Sequence, residues 1–270
     1  MKRNKEVPYG TLIVKEFTTK LLKIGDRKIR IWLPDGYDEN YETGYPVLYM
    51  HDGQNLFESS TSYAGEWFID ESLSKLSKKN KNFKMIVVGI DNSPLRINEM
   101  SFLSIKKSCY RFPNKSYEGQ DYAKFIVEEV KEYIDKNYNT NPKINLIGGS
   151  SMGGIISFFM ALAYPDVFGY ALCFTPAGML HYQNELKKWC KNAIKNAKKL
   201  PKLYFMVGKG DRLEQIIFKF TEKLIPFLSK QGYSKENLRY DVIEEAIHNE
   251  KSWAKIFPTA IKWLNIRETS

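Results

Sequence analysis

The chain has 270 residues, of which 43% are hydrophobic and 27% are charged. This composition excludes an intrinsically disordered chain, because it is enough to build a large hydrophobic core, and it favours a single domain over residues 1–270. The formal net charge is +10. The basic residues are mostly dispersed and no nucleic-acid-binding motif is present, so we expect no specific nucleic-acid binding.

The sequence also bears on the cellular compartment of the protein and on its need for a cofactor. No window approaches the roughly 18 apolar residues of a membrane-spanning helix, and no apolar signal segment follows the charged N-terminus. The three cysteines, Cys109, Cys173 and Cys190, are too few and unsuitably spaced for a disulfide framework or a metal site. We therefore expect a cytoplasmic protein with no membrane association and no metal or organic cofactor.

Extended and helical patterns alternate along the chain. Two strands are predicted first, at 11–21 and 28–33, with the hairpin signal Gly25-Asp26 between them. The later predicted strands are 46–50, 85–90, 144–147, 169–174, 202–207 and 238–243. The predicted helices are 66–78, 121–136, 155–162, 184–197, 213–228 and 251–265, the last interrupted near Pro258.

This alternation predicts the α/β class. Strands that alternate with helices form a mostly parallel sheet with helices on both faces, here with an antiparallel N-terminal edge. Residues 91–120 show no regular pattern, and irregular stretches of this length inside a compact domain are usually functional.

A nucleophile-elbow pattern lies between a predicted strand and a predicted helix. It reads Gly149-x-Ser151-x-Gly153, in which a serine on a tight turn projects its hydroxyl from the sheet edge. The glycines two residues before and after it avoid collisions between strand and helix. The alternative is a glycine-rich turn that only joins the two elements.

A serine nucleophile needs a base, and the chain has three histidines. In this kind of fold the partners follow in the order serine, acid, histidine. His51 precedes the serine, and His181 follows it too closely for an acid to lie between them. His248 comes directly after the last predicted strand, so we predict it as the base. The alternative is an exposed loop histidine.

The acid is expected in the loop after the penultimate strand. Asp211 is the first candidate, and Glu214, at the start of the next helix, is the second. Such an acid sets the imidazole tautomer and stabilises its charged form. The alternative for Asp211 is a helix cap, a role that aspartate favours.

An oxyanion hole requires two N–H donors. One is expected at the backbone of Met152, directly after the nucleophile, and the other in the loop after the strand at 46–50. In that loop Gly53 permits close backbone approach to substrate, and the N–H of Gln54 is the candidate donor. The alternative is a polar turn whose side chains bond to their own backbone.

Together these motifs resemble a known family. The chain is similar to the esterase D-like group of α/β-hydrolases, which includes feruloyl and acetyl-xylan esterases, siderophore esterases and mycolyl transferases. The matching segments are YPVLYMHDGQNLF (45–57), GEW (65–67), IVVGID (86–91), GSSMGG (149–154), YPDVF (164–168) and HNEKSW (248–253).

The resemblance implies a carboxylesterase that works through an acyl-enzyme, without a cofactor, on a small-molecule or oligosaccharide ester. It places the nucleophile at Ser151, the base at His248 and the acid at Asp211. Trp67 falls where relatives line the substrate pocket, and a core tryptophan is the alternative. An acyltransferase and a non-catalytic binding protein are the other functions considered, and a homo-oligomer is compatible with the sequence.

Two segments are expected to form the substrate rim, the irregular stretch 91–120 and the insertion 176–200. Arg96, Arg111 and the lysines of the insertion would favour an anionic substrate such as a phenolic acid or siderophore ester. The alternative is that these lysines only hydrate the surface.

Overall fold

The computed structural model describes residues 3–7, 9–80, 83–106 and 117–266. These residues form nine strands: β1 Arg3–Val7, β2 Gly10–Thr18, β3 Asp26–Pro34, β4 Tyr45–His51, β5 Ile86–Ile90, β6 Thr140–Ser150, β7 Phe168–Phe174, β8 Lys202–Gly208 and β9 Leu238–Ile243. The helices are α1 Ile69–Lys79, α2 Arg96–Glu99, α3 Gly119–Lys124, α4 Lys131–Asn137, α5 Met152–Ala163, α6 Gln183–Asn196, α7 Arg212–Lys230 and α8 Glu250–Leu264. A π-helical segment, Phe125–Val130, joins α3 to α4, and 3-10 turns lie at Gly53–Asn55 and Gly178–Leu180.

The strands form one hydrogen-bonded sheet in the order β1-β2-β3-β5-β4-β6-β7-β8-β9. Three neighbouring pairs are antiparallel: β1 with β2, β2 with β3, and β3 with β5. Strand β4 is parallel to β5, with Val47 opposite Ile86. Strands β7, β8 and β9 are parallel to one another. The predicted α/β class, with an antiparallel N-terminal edge, is confirmed.

Two compact units share the chain. The first comprises residues 1–94, 124–146 and 249–270, and the second comprises residues 95–123 and 147–248. Each unit has apolar residues that are completely buried on its own strands and helices. The single domain expected from chain length stays a prediction.

The sequences of β4 and α5 are continuous apolar runs because both elements are buried. In the first unit Val47, Leu48 and Met50 of β4 have no exposed surface, as expected for a strand covered on both faces. In the second unit every residue of α5 from Met152 to Leu162 is buried, so this helix is apolar all round. In the part of the chain that the structure describes, no helix is both long and apolar enough to cross a membrane.

Several elements differ from the sequence prediction: helix α2 lies in the stretch 91–120 that showed no regular pattern, a π-helical segment divides the helix predicted at 121–136, and strand β1 and helix α8 also differ. Strand β1 was not predicted, because its sequence is mostly polar. It pairs with β2 in a register that places Arg3 opposite Val14. Helix α8 runs without interruption through Pro258. Its buried stripe, which includes Trp253 and Phe257, provides the packing that offsets the backbone hydrogen bond lost at proline.

Helix α5 packs on β7 with no room for a side chain at one position. A Cβ at Gly154 would lie 2.5 Å from the carbonyl oxygen of Phe174, at the end of β7. The obstacle is backbone rather than a flexible side chain, so only glycine allows this approach.

We expect Gly154→Ala to lower the free energy of unfolding by about 1–3 kcal/mol, because overpacking outweighs the helix propensity of alanine. Urea denaturation measures the change. Gly169→Ala is the matched control on β7, where a Cβ would meet nothing within 4 Å, and its stability should equal or slightly exceed the wild type. Equal stability of both variants would contradict the close helix–strand contact.

His181 is a buried histidine that joins two segments of the second unit. Its Nδ1 lies 3.1 Å from the carbonyl oxygen of Leu103 and 3.3 Å from that of Ser104. Its ring meets Phe159 edge-on. Burial lowers the pKa of His181 to about 4, although the two carbonyls act in the opposite direction. The ring is therefore neutral near pH 7, with Nδ1–H as the donor.

This pKa predicts an acid-dependent loss of stability. As pH falls from about 6.5 to about 4, the unfolded chain binds a proton at this histidine and the folded chain does not, so the free energy of unfolding falls by about 3 kcal/mol. His181→Asn keeps an N–H donor near the Nδ1 position but does not titrate. Urea denaturation across this range should show a shallower pH dependence in the variant, and identical slopes would contradict the assignment.

Candidate active site

Ser151 occupies a strained turn between β6 and α5. Its backbone has φ 57° and ψ −116°, a region that L-residues with a Cβ disfavour at a cost of about 1–3 kcal/mol. The N–H of Ser151 donates to the carbonyl of Phe174 at 2.9 Å, and its own carbonyl accepts from Ala177 at 3.0 Å. These bonds on both sides of Ser151 hold the strained conformation, and the structure has the strand, turn and helix that the motif predicts.

The two motif glycines pack against each other. A Cβ at Gly149 would lie 3.0 Å from the carbonyl carbon of Gly153 and 3.1 Å from its Cα. The chain thus reverses around Ser151 with backbone against backbone. This is the steric requirement expected from the sequence.

Met152 is the first residue of α5, and its side chain is buried. Its N–H has no hydrogen-bond partner among the residues that the structure describes. The first N–H groups of a helix lack intrahelical acceptors and carry partial positive charge. The Met152 N–H can therefore donate to an anionic oxygen.

A buried carboxylate contacts the predicted base. Nδ1 of His248 lies 2.7 Å from Oε1 of Glu214, whose side chain has no exposed surface. The other oxygen, Oε2, accepts the N–H of Gly208 at 2.6 Å. Among the three histidines, His51 and His181 are buried, whereas the His248 side chain is 15% exposed. Glu214 is thus in position to orient the imidazole.

Asp211, the first candidate for the acid, does not contact the His248 ring. It is the N-cap of α7, where Oδ1 accepts the N–H of Glu214 at 2.8 Å, and Oδ2 accepts the backbone N–H of His248 at 2.7 Å. Burial of Asp211 acts to raise its pKa, but these N–H groups and that of Leu213 outweigh it, so the pKa lies below the usual range. The structure therefore corrects this prediction and brings the second candidate, Glu214, onto the ring.

The sequence contained a signal for this arrangement. Asp211-x-x-Glu214 has the spacing of a capping box, in which the first residue caps the helix and the acid three positions later turns back toward its N-terminus. Glutamate at that position has the longer side chain. It can reach His248 while aspartate is held by backbone donors.

In the first unit, the candidate oxyanion loop folds as the 3-10 turn Gly53–Asn55. A Cβ at Gly53 would lie 2.6 Å from the carbonyl carbon of Gly89 on β5. Gln54 accepts the N–H of Asn92 at its side-chain oxygen and the Thr61 hydroxyl at its carbonyl. Within the described ranges, the N–H of Gln54 has no partner. Gly53 thus has a structural reason to be glycine, and its expected substrate contact stays a prediction.

An ion pair supports this loop from the neighbouring strands. Arg30 of β3 donates to both carboxylate oxygens of Asp91, from Nε at 2.7 Å and from an Nη at 3.0 Å. Burial raises the pKa of Asp91, although Arg30 acts in the opposite direction. The next residue, Asn92, donates from its side chain to Asp52 at 2.7 Å. The pair therefore anchors the segment on which Asp52 and Gln54 rest.

Trp67 lies in the core of the first unit and is only 2% exposed. Its ring stacks on Trp253 of α8 at 5.7 Å between centroids and meets Phe257 edge-on at 6.4 Å. This packing favours the core alternative for Trp67, and its expected contact with substrate stays a prediction. Sequence could not separate the two because both need a large apolar side chain.

The two expected rim segments bond to each other within the second unit. Ile105 forms a β-bridge with His181, and the N–H and Nζ of Lys106 donate to the carbonyls of Leu180 and Met179 at 2.9 and 2.7 Å. Arg96 begins α2. Arg111 and Cys109 lie outside the described residues.

Lysines of the insertion lie on the exposed side of α6, opposite the buried stripe Leu186, Cys190 and Ile194. This placement suits the alternative of surface hydration.

One group of three acids in the described part of the chain has oxygen atoms close enough to share a cation: Glu66, Asp70 and Glu71, all within 4.8 Å. Burial, followed by the neighbouring Glu71, raises the pKa of Asp70 to about 8. A proton on Asp70 can therefore relieve the like-charge repulsion. The Ser59 hydroxyl donates to Glu66.

Known proteins are similar to this chain in sequence or in structure. The protein YbbA of Bacillus subtilis (strain 168), whose function is uncharacterised, is 24% identical over 249 residues, which cover 90% of this chain and 94% of YbbA. The feruloyl esterase module of Clostridium thermocellum, solved with sinapinate, has a TM-score of 0.71 at 16% identity and covers 96% of this chain and 89% of its own.

The enterobactin esterase FES of Shigella flexneri, solved in the presence of enterobactin, has a TM-score of 0.72 at 15% identity, covering 96% of this chain and 58% of that one. At these identities the solved structures establish the α/β-hydrolase fold. A family model described as "Putative esterase" matches residues 24–264. The chain therefore belongs to this esterase family of α/β-hydrolase proteins.

Proposed function

We propose that the protein is a serine carboxylesterase with Ser151 as nucleophile, His248 as base and Glu214 as acid. The observation that carries this proposal is the 2.7 Å contact between Glu214 and Nδ1 of His248. A carboxylate on Nδ1 holds a proton there and leaves Nε2 as the base. The strained turn at Ser151 and the membership of an esterase family support the same chemistry.

In the proposed reaction, the Ser151 hydroxyl attacks the ester carbonyl and passes its proton to Nε2 of His248. The tetrahedral intermediate collapses, the C–O bond to the alcohol breaks, and His248 returns the proton to that alcohol. Water then attacks the acyl-enzyme by the same route and releases the acid and Ser151. Glu214 stabilises the imidazolium in both halves without accepting its proton.

The negative charge on the carbonyl oxygen requires preorganised donors. We propose the N–H groups of Met152 and Gln54 for this role. Each lacks a hydrogen-bond partner among the described residues. Neither would have to break a bond to a described residue to bind the oxyanion.

The substrate class comes from similarity to esterases that were solved with sinapinate and with enterobactin. We propose a small-molecule or oligosaccharide ester of an aromatic acid for this chain. Transfer of the acyl group to an alcohol would use the same acyl-enzyme. Hydrolysis rates of methyl ferulate with and without a sugar acceptor distinguish these outcomes.

Ser151→Ala should abolish stoichiometric labelling by a fluorophosphonate and reduce p-nitrophenyl acetate hydrolysis by up to about 10⁶-fold, because the variant lacks the proposed nucleophilic hydroxyl. Mass spectrometry of the intact protein measures the labelling. Ser150→Ala, one residue earlier, is the control and should still be labelled. A folded wild-type protein that is not labelled, or labelling that persists in Ser151→Ala, would contradict the proposal.

Glu214→Gln should lower kcat by about 10²–10⁴-fold with a small change in KM, because the amide no longer stabilises the imidazolium or selects its tautomer. Steady-state kinetics on p-nitrophenyl acetate measure the change. Glu244→Gln, which removes an exposed carboxylate paired with Lys209, is the control and should match the wild type. Wild-type kcat in Glu214→Gln would remove Glu214 from the mechanism.

A further inference from the structure

Asp211 binds the backbone of both members of the acid–base pair. Its Oδ1 accepts the N–H of Glu214 at 2.8 Å, and its Oδ2 accepts the N–H of His248 at 2.7 Å. The side chains of those two residues meet each other at 2.7 Å. Asp211, Glu214 and His248 thus form a closed ring of three contacts, two through backbone and one through side chains.

The loops that carry this ring also lie backbone against backbone. The N–H of Gly210 donates to the carbonyl of Ala246 at 2.9 Å. A Cβ at Gly208 would lie 2.1 Å from that same carbonyl oxygen, and a Cβ at Gly210 would lie 2.7 Å from the carbonyl of Glu245. The loop after β8 therefore supports the loop after β9 directly, and the Asp211 side chain adds a bond to the backbone of His248.

Only a carboxylate satisfies both donors. Each N–H needs an acceptor, and the two oxygens of aspartate supply one each. Asparagine would place an NH₂ group against one of the two N–H groups, and serine has a single oxygen. The depressed pKa of Asp211 means that both oxygens remain acceptors throughout the neutral range.

We propose that Asp211 is a positioning residue that sets the distance between Glu214 and the imidazole of His248, and so acts on the reaction without touching substrate. This inference rests on the proposed function of Ser151, Glu214 and His248. A helix cap alone would use one oxygen on the first turn of α7. In this structure the second oxygen accepts the backbone N–H of His248, the proposed base.

Loss of the hydrogen bond between Asp211 and the His248 backbone should lower kcat more than it changes KM. If His248 moves away from Glu214, the imidazolium formed during the reaction is less stabilised, and small displacements of a catalytic group can lower rates by about 10²-fold. KM should change little, because Asp211 does not contact substrate in the proposed reaction.

Two substitutions separate capping from positioning. Asp211→Ser keeps an acceptor for the N–H of Glu214, since serine is a good N-cap, but cannot also reach His248. Asp211→Asn retains one acceptor oxygen only. We expect both to lower kcat by about 10- to 100-fold with KM within about twofold of wild type, and Asp211→Ser to keep nearly the wild-type Tm.

The contact between Glu214 and His248 can also be detected by NMR, without measuring catalysis. The Nδ1 proton of His248, held by Glu214, should give a low-field ¹H NMR resonance in the wild type that is lost or shifted in Asp211→Ser and retained in Ser151→Ala. With three histidines in the chain, the resonance can be assigned by His248→Gln.

Two outcomes would overturn the inference, and a third would overturn the proposed function. Wild-type kcat and an unchanged resonance in Asp211→Ser would make Asp211 a helix cap only. A loss in Asp211→Asn equal to that in Glu214→Gln, with the resonance unchanged, would make Asp211 the acid itself. If wild-type protein is not labelled by a fluorophosphonate, the proposed function fails separately, and an unchanged resonance in Asp211→Ser would still refute positioning.

Discussion

The arrangement of the second unit depends on the strained backbone at Ser151. A serine with φ 57° persists only where its surroundings compensate for the strain. Here the compensation comes from hydrogen bonds to Phe174 and Ala177 and from glycines whose backbones touch. Because these contacts require α5 to lie directly on β7, the position of the helix and of its first N–H groups follows from the same constraint.

The proposed acid–base pair shows how two nearby carboxylates can have different surroundings. Glu214 is fully buried and meets the imidazole, whereas Asp211 is partly exposed and accepts hydrogen bonds from backbone N–H groups. The difference arises from side-chain length and from position on α7. A residue at the N-cap faces the first N–H groups of its helix, and a glutamate three positions later can extend past the cap toward the next loop.

Much of the fold could be predicted from sequence because its signals are local. The apolar runs of β4, β5 and β8 and the amphipathic pattern of α7 depend on neighbouring residues, and their alternation implies a largely parallel sheet. Strand β1 could not be predicted, because its polar residues are ordered by pairing with β2. The continuity of α8 through Pro258 likewise depends on packing that the sequence pattern does not contain.

For the proposed site, the sequence by itself determined the elbow turn at Ser151 and predicted His248 as the base, with a short list of two acids. Spacing and chain order carry that information, because the elbow needs glycines at set positions and the base must follow the last strand. Only the tertiary structure decided that Glu214 meets His248, that Asp211 binds backbone, and that Trp67 packs on Trp253. Those outcomes depend on which side chains have the length and direction to reach each other across loops and helices distant in sequence.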